Sequence, residues 1–198
     1  MNILVIILAY LIGSIPTAYL AARLKSGQDI RQMGSKNMGA TNAFKSLGAK
    51  YGIVVFVIDF LKGIAALALA LYVFTCPAWI VAAAGAVATL GHNYPVWLGF
   101  KGGKGAATAG GVLILYCLSQ MLFWQLSVCL IIVIIGYFIF KNLVAGSTVA
   151  FIMAPFVFFI SGQTDDGLFA LILLIIIAIK FIPAAWVDIK RIFDGRYF

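Results

Sequence analysis

Long apolar runs nearly free of charge leave this chain few ways to fold. Asn2 to Leu24 and Tyr51 to Phe74 are each long enough to cross a bilayer core as a helix, which takes ~20 residues at about 1.5 Å each. Ala106 to Phe140 would measure roughly 52 Å as one helix. That is too long for one crossing, so the run divides near Ser119 and Gln120 into two short spans. Ala78 to Leu90, Val144 to Ser161 and Leu168 to Phe181 complete the set. With 64% hydrophobic and 10% charged residues, a soluble domain is excluded. The expected fold is an all-α integral membrane protein, a polytopic bundle of about seven transmembrane helices, some short, with phosphate-binding loops on the cytoplasmic face. It forms one transmembrane domain over residues 1–198. Because 78–90 and 106–119 are marginal in length, five full spans plus a re-entrant hairpin is the alternative. The first run lacks a basic leader and a small-residue cleavage site, so it reads as a retained span.

The 14 Lys and Arg against six acids could suggest a nucleic-acid partner, but their positions fit a membrane better. With the N-terminus outside, seven spans put the loop Lys25–Lys50, the loop around Lys101 and Lys104, Lys141 and the tail with Lys190, Arg191 and Arg196 on one face. Every cation except Lys62 lies there or at its border, and the turns at Thr75–Pro77, Ser119–Gln120 and Gln163–Asp166 hold none. The positive-inside rule makes that face cytoplasmic and excludes nucleic acid as a partner. Cys76, Cys117 and Cys129 lack CxxC spacing and sit in or beside apolar runs, as small buried hydrophobes.

Between two apolar runs stands Gly91–Thr108, with His92, the chain's single histidine, and the stretch Phe-Lys-Gly-Gly-Lys-Gly from Phe100 to Gly105. A loop of glycines and cations that turns into a helix near Ala106 can present backbone N–H groups and a positive helix end to one anion. Lys101 and Lys104 add charge, and Gly102, Gly103 and Gly105 permit close approach. Gly105 stands where a Walker loop needs Ser or Thr, so this is a different phosphate loop; read alone, its lysines could also be topology markers. In the first loop, Thr41 or Asn42 is expected to cap a short helix that Gly48 stops. Thr41, Asn42 and Lys45 would share its face, a second anion-binding arrangement beside the simpler reading of a capped surface helix. Asp59 and Lys62, three residues apart in an apolar span, can neutralise one another.

Established catalytic sets are absent from the sequence: no Ser-His-Asp motif, no paired Glu, no histidine cluster, and no metal or cofactor is implied. His92 is a candidate acid or base beside the loop, or a structural hydrogen bonder. Such a site suits phosphate charge better than proton transfer, and therefore a substrate with a good leaving group.

At Gly34–Asn42, Asp59–Gly63, Gly91, His92, Pro95 and Phe100–Thr108 the chain resembles the bacterial acyl-phosphate:glycerol-3-phosphate acyltransferases, the PlsY family, over its whole length. The resemblance implies a multi-pass enzyme of the bacterial inner membrane, C-terminus cytoplasmic. It would move a fatty acyl group from acyl phosphate to the sn-1 hydroxyl of glycerol 3-phosphate, giving lysophosphatidic acid and phosphate, with a substrate phosphate taking the hydroxyl proton. It implies Ser35, Lys104 and His92 as catalytic and Asn37, Thr41, Asn42, Lys45, Lys101, Gly102, Gly103, Gly105, Thr108 and Asp188 as substrate- or phosphate-binding. The partners are the two substrates and the bilayer; the oligomeric state stays open, a monomer included. Three departures stand out: Lys45 where the family has Arg, Ala145 near a frequent family serine, and Ala185 and Asp188 where its tail has His and Asn. An acid near a phosphate site weakens anion binding, so a relative with another acceptor or without catalysis is one alternative. An organophosphate or anion transporter is the other.

Overall fold

The computed structural model describes the backbone of residues 1–193 and the side chains of residues 1–182. Among the described residues every regular element is helical. The first span is two helices, α1 (Asn2–Gly13) and α2 (Thr17–Ser26). They break at Ser14–Pro16, because proline has no N–H to continue the ladder and its ring crowds the preceding turn. Gly27, at φ +68°, ends α2 in the left-handed conformation that glycine adopts without strain. A polar loop leads to α3 (Ala40–Leu47), and Gly48, at φ +95°, stops it as expected. The next span, α4 (Ala49–Ala68), continues through one wider turn over Leu69–Val73.

α5 (Ala78–Asn93) then carries the chain to the glycine-lysine loop, three residues further than the apolar pattern ends. Gly91, His92 and Asn93 form its buried last turn, enclosed by protein. The long apolar run does divide, into α6 (Ala106–Ser119) and α7 (Phe123–Phe140). α8 (Leu143–Ile160) and α9 (Thr164–Phe193) complete the described chain. The acidic turn belongs to α9, where Asp165 and Asp166 occupy the first turn and complement the helix dipole. Asp166 also accepts the Tyr116 hydroxyl at 2.7 Å, joining α9 to α6.

Among the described residues, four helical stretches are long and apolar enough to cross a membrane: Asn2–Ser26, Ala49–Val73, Phe123–Phe140 and Leu143–Ile160. α5 and α6, at 16 and 14 residues, are the short helices expected. Helix packing in a bilayer rests on close approach of small residues, and α4 meets α6 that way twice. A Cβ on Gly63 would strike the Thr108 carbonyl, and one on Gly111 the Phe60 carbonyl. Gly136 and Gly146 bring α7 and α8 equally close. The central core joins α1, α4, α5, α6, α8 and α9 through Val5, Leu67, Val81, Val112, Phe158 and Leu173. A smaller core of Ala22, Ile30, Ala43, Leu47 and Val55 seats the first polar loop on α2, α3 and α4. Outward faces remain apolar, with Ile131, Ile134, Ile135 and Phe138 on α7 exposed, more apolar surface than a soluble monomer leaves open.

Candidate active site

Two polar loops meet at one end of the bundle. Arg31 in the first loop donates from Nη1 to the Leu98 carbonyl of the second at 3.2 Å. Its guanidinium also grips both oxygens of Asp29, at 2.7 to 3.1 Å, and those hydrogen bonds hold the Asp29 carboxyl below its usual range. The Met38 carbonyl lies directly where a side chain on Gly103 would point.

Within the first loop, the cap differs from expectation. Gly39 occupies the N-cap of α3, and Asn42 sits inside the helix, buried. Its Oδ1 accepts the Ser35 N–H at 3.0 Å, and its Nδ2 faces the carbonyls of Asn37, Met33 and Ile30 at 2.9, 3.0 and 3.3 Å. With its polar atoms committed to the strand of loop wrapped over it, Asn42 shapes that loop and cannot also cap the helix. Ser35, Thr41 and Lys45 are exposed and Asn37 half-buried. Lys36 at φ +61° holds a left-handed conformation that a non-glycine residue adopts at a cost.

The glycine-lysine loop is tied back to α5. The Gly102 N–H donates to the Asn93 carbonyl at 3.2 Å and the Gly103 N–H to the His92 carbonyl at 3.1 Å. These two amides therefore finish α5 instead of facing an anion. What remains for an anion is the start of α6, where the amides of Ala106, Ala107 and Thr108 have no intrahelical acceptor. Gly105, at φ +83°, makes the turn into that helix. A Cβ there would meet Asn93 Oδ1, so glycine is required twice over. Lys101 is exposed. Lys104 is half-buried, its Nζ 4.3 Å from the centroid of the Phe181 ring of α9. Thr108 is fully buried, with no hydrogen bond to its Oγ1 among the described residues. His92 lies behind the loop, buried, its Nε2 against the Cα of Gly103.

Asp59 and Lys62 pair as their spacing predicts, at 2.7 Å on one face of α4, both buried. The pair is not isolated: Asp59 Oδ1 lies 3.5 Å from His92 Nδ1, and Lys62 Nζ donates to the Ile15 carbonyl at the α1–α2 break, at 3.0 Å. Sequence reasoning missed this junction, and it missed Arg31 and Asn93, the latter buried and donating to the Ile176 carbonyl at 3.0 Å. The adjacency of Asn93 to His92 was the available signal. Asp188 and Ala185 lie outside the residues whose side chains are described; Ala145 is half-buried in the first turn of α8.

Residues 3–195 match the family described as Glycerol-3-phosphate acyltransferase. A protein of that name from Aquifex aeolicus is 40% identical over 192 residues, covering 96% of this chain and 95% of the relative. Glycerol-3-phosphate acyltransferase 4 of Dehalococcoides mccartyi is 50% identical over 122 residues, 62% of this chain and 65% of the relative. Among solved structures, the integral membrane glycerol 3-phosphate acyltransferase PlsY (YgiH) in its glycerol 3-phosphate form superposes with a TM-score of 0.81. It is 35% identical, over 98% of this chain and 93% of that one.

Proposed function

As a member of the glycerol-3-phosphate acyltransferase family, the chain is a membrane acyltransferase of phospholipid biosynthesis, and we propose that it draws its acyl group from acyl phosphate through the two joined loops. The donor is a mixed anhydride. The sn-1 hydroxyl oxygen of glycerol 3-phosphate attacks its acyl carbon, the bond from that carbon to the phosphate oxygen breaks, and inorganic phosphate leaves with the electron pair. The hydroxyl proton passes to a substrate phosphate, so no protein nucleophile is needed. Lysophosphatidic acid and phosphate are the products.

The observation that carries this reading is the junction of the loops, with the Met38 carbonyl against Gly103 and Arg31 on the Leu98 carbonyl. It supports one compartment shared by Ser35, Asn37, Thr41 and Lys45 from one side and Lys101, Lys104, Gly105 and Thr108 from the other. Lys104 and the first-turn amides of α6 stabilise phosphate charge as the anhydride opens. Ser35, presented by the loop that Asn42 shapes, is the hydroxyl for orienting substrate. His92, behind the loop, fits an orienting role better than proton transfer. Lys45 meets a phosphate as a point charge, without the fork of arginine, and Asp188 is the tail residue assigned to the site.

The enzyme sits in the bacterial inner membrane, with the N-terminus outside and the loops and C-terminus cytoplasmic, as the distribution of cations supports. Purified protein given acyl phosphate and glycerol 3-phosphate tests the reading: phosphate release should require both substrates together. Release at background, or unaltered by omission of glycerol 3-phosphate, would overturn it.

A further inference from the structure

Ionisable side chains inside an apolar span are costly and point to a task. Asp59 and Lys62 carry no substrate role in the reading above, yet both are buried on α4, at 2% and 5% exposure. Their partners define a path across the bundle. Lys62 donates to the Ile15 carbonyl at the α1–α2 break, an oxygen that also accepts the Thr17 N–H at 3.0 Å. Asp59 neutralises Lys62 at 2.7 Å and faces His92 Nδ1 at 3.5 Å, within ion-pair reach though longer than a hydrogen bond. The other edge of that imidazole, Nε2, backs onto Gly103, whose N–H is bonded to the His92 carbonyl. A small cavity is bordered by Ser14, Met38, Asp59, Lys62, His92 and Pro95, so the junction and the first loop line the same space.

We propose that Asp59 is a positioning residue for acyl transfer: held by Lys62 to the α1–α2 break, it fixes the His92 ring, and the ring sets the height of the glycine-lysine loop. A simple fold-stabilising pair would need neither a contact to His92 nor a ring edge against the loop. A carboxylate facing Nδ1 selects a proton on that nitrogen, which leaves Nε2 to face the loop. The inference rests on the reading of that loop as the phosphate site.

Because the chain has one histidine, the nitrogen chemical shifts of ¹⁵N-histidine-labelled full-length protein report this ring alone. A proton on Nδ1 is expected; a bare Nδ1 overturns the proposal. Kinetics supply the second arm. The neutral pair Asp59→Asn with Lys62→Met removes both charges, so thermal stability should stay near native, since a buried ion pair adds little net stability. It should nevertheless lower kcat/KM for glycerol 3-phosphate by about tenfold or more, mainly through KM, because the loop is misplaced. Asp59→Glu, which keeps a carboxylate, should recover most of it. Native kinetics in the folded neutral pair would overturn the proposal, and if that variant fails to fold the ring spectrum decides. Failure of the phosphate-site reading itself would look different: Lys104→Ala would turn over normally while the proton stayed on Nδ1.

Discussion

Lys104 is the residue on which the chemistry weighs most. Its ammonium lies over the face of Phe181, an arrangement in which ring and charge attract. A charged hydrogen bond contributes roughly 1.5 to 3 kcal/mol, so Lys104→Ala should slow phosphate release by about ten- to a hundredfold or more while extraction and expression stay normal. Gly103→Val should do the same for a steric reason, since its side chain would collide with His92 Nε2 and the Met38 carbonyl. Lys45 gives a graded case. Exposed in the last turn of α3, it should tolerate Lys45→Arg with an equal or lower KM for glycerol 3-phosphate, whereas Lys45→Ala should raise it. Equal kinetics for all three would make Lys45 a surface charge.

At the scale of elements, helix contact and loop closure make separate predictions. Gly111→Val would drive a side chain into the Phe60 carbonyl of α4, an overpacking that costs about 1 to 3 kcal/mol. It should lower the melting temperature in detergent and leave turnover per folded molecule near native. The Asp29–Arg31 clasp predicts a pH dependence. Because Asp29 has a lower pKa folded than its unfolded value of about 3.9, the clasp contributes fully above that value. Its contribution is lost as pH falls through the lower folded pKa. The exchange protection of the Arg31 amide, which donates to Asp29 Oδ1 at 2.9 Å, should thus hold from neutral pH to about 4 and fall below it. Protection already lost at pH 6 would contradict this. The elements legible in the sequence are those governed locally. Gly48 and Gly105 end or start helices because only their backbone suits the turn, and the apolar run breaks at Ser119 because one helix would overshoot the bilayer. The cap rule is local and offers Thr41 or Asn42, while the partners of Asn42, the Asn37, Met33 and Ile30 carbonyls, exist only once the loop wraps over it.

For the whole molecule, one asymmetry organises the account: cations and both polar loops are assigned to one face of the bundle. A tag after Arg196 should be cytoplasmic and one at Asp165 external, and protection of both on the same side would refute the orientation. The glycine-lysine stretch next to a helix start was legible in the sequence, but the packing of His92, behind it, against Asp59 of α4 was not. Asp59, His92 and the Ile15 carbonyl lie far apart in sequence, and no local pattern announces that α4 and α5 bring them together. The central claim, that the joined loops bind the phosphates while an acyl group moves between them, has a direct measurement. Purified protein is supplied with acyl phosphate and glycerol 3-phosphate, and lysophosphatidic acid and inorganic phosphate are counted in the same sample, for the native chain and for correctly inserted Lys104→Ala. The account predicts the two products in equal amounts from the native chain and at least about tenfold less of both from the variant. Phosphate without lysophosphatidic acid, or native rates in Lys104→Ala, would contradict it.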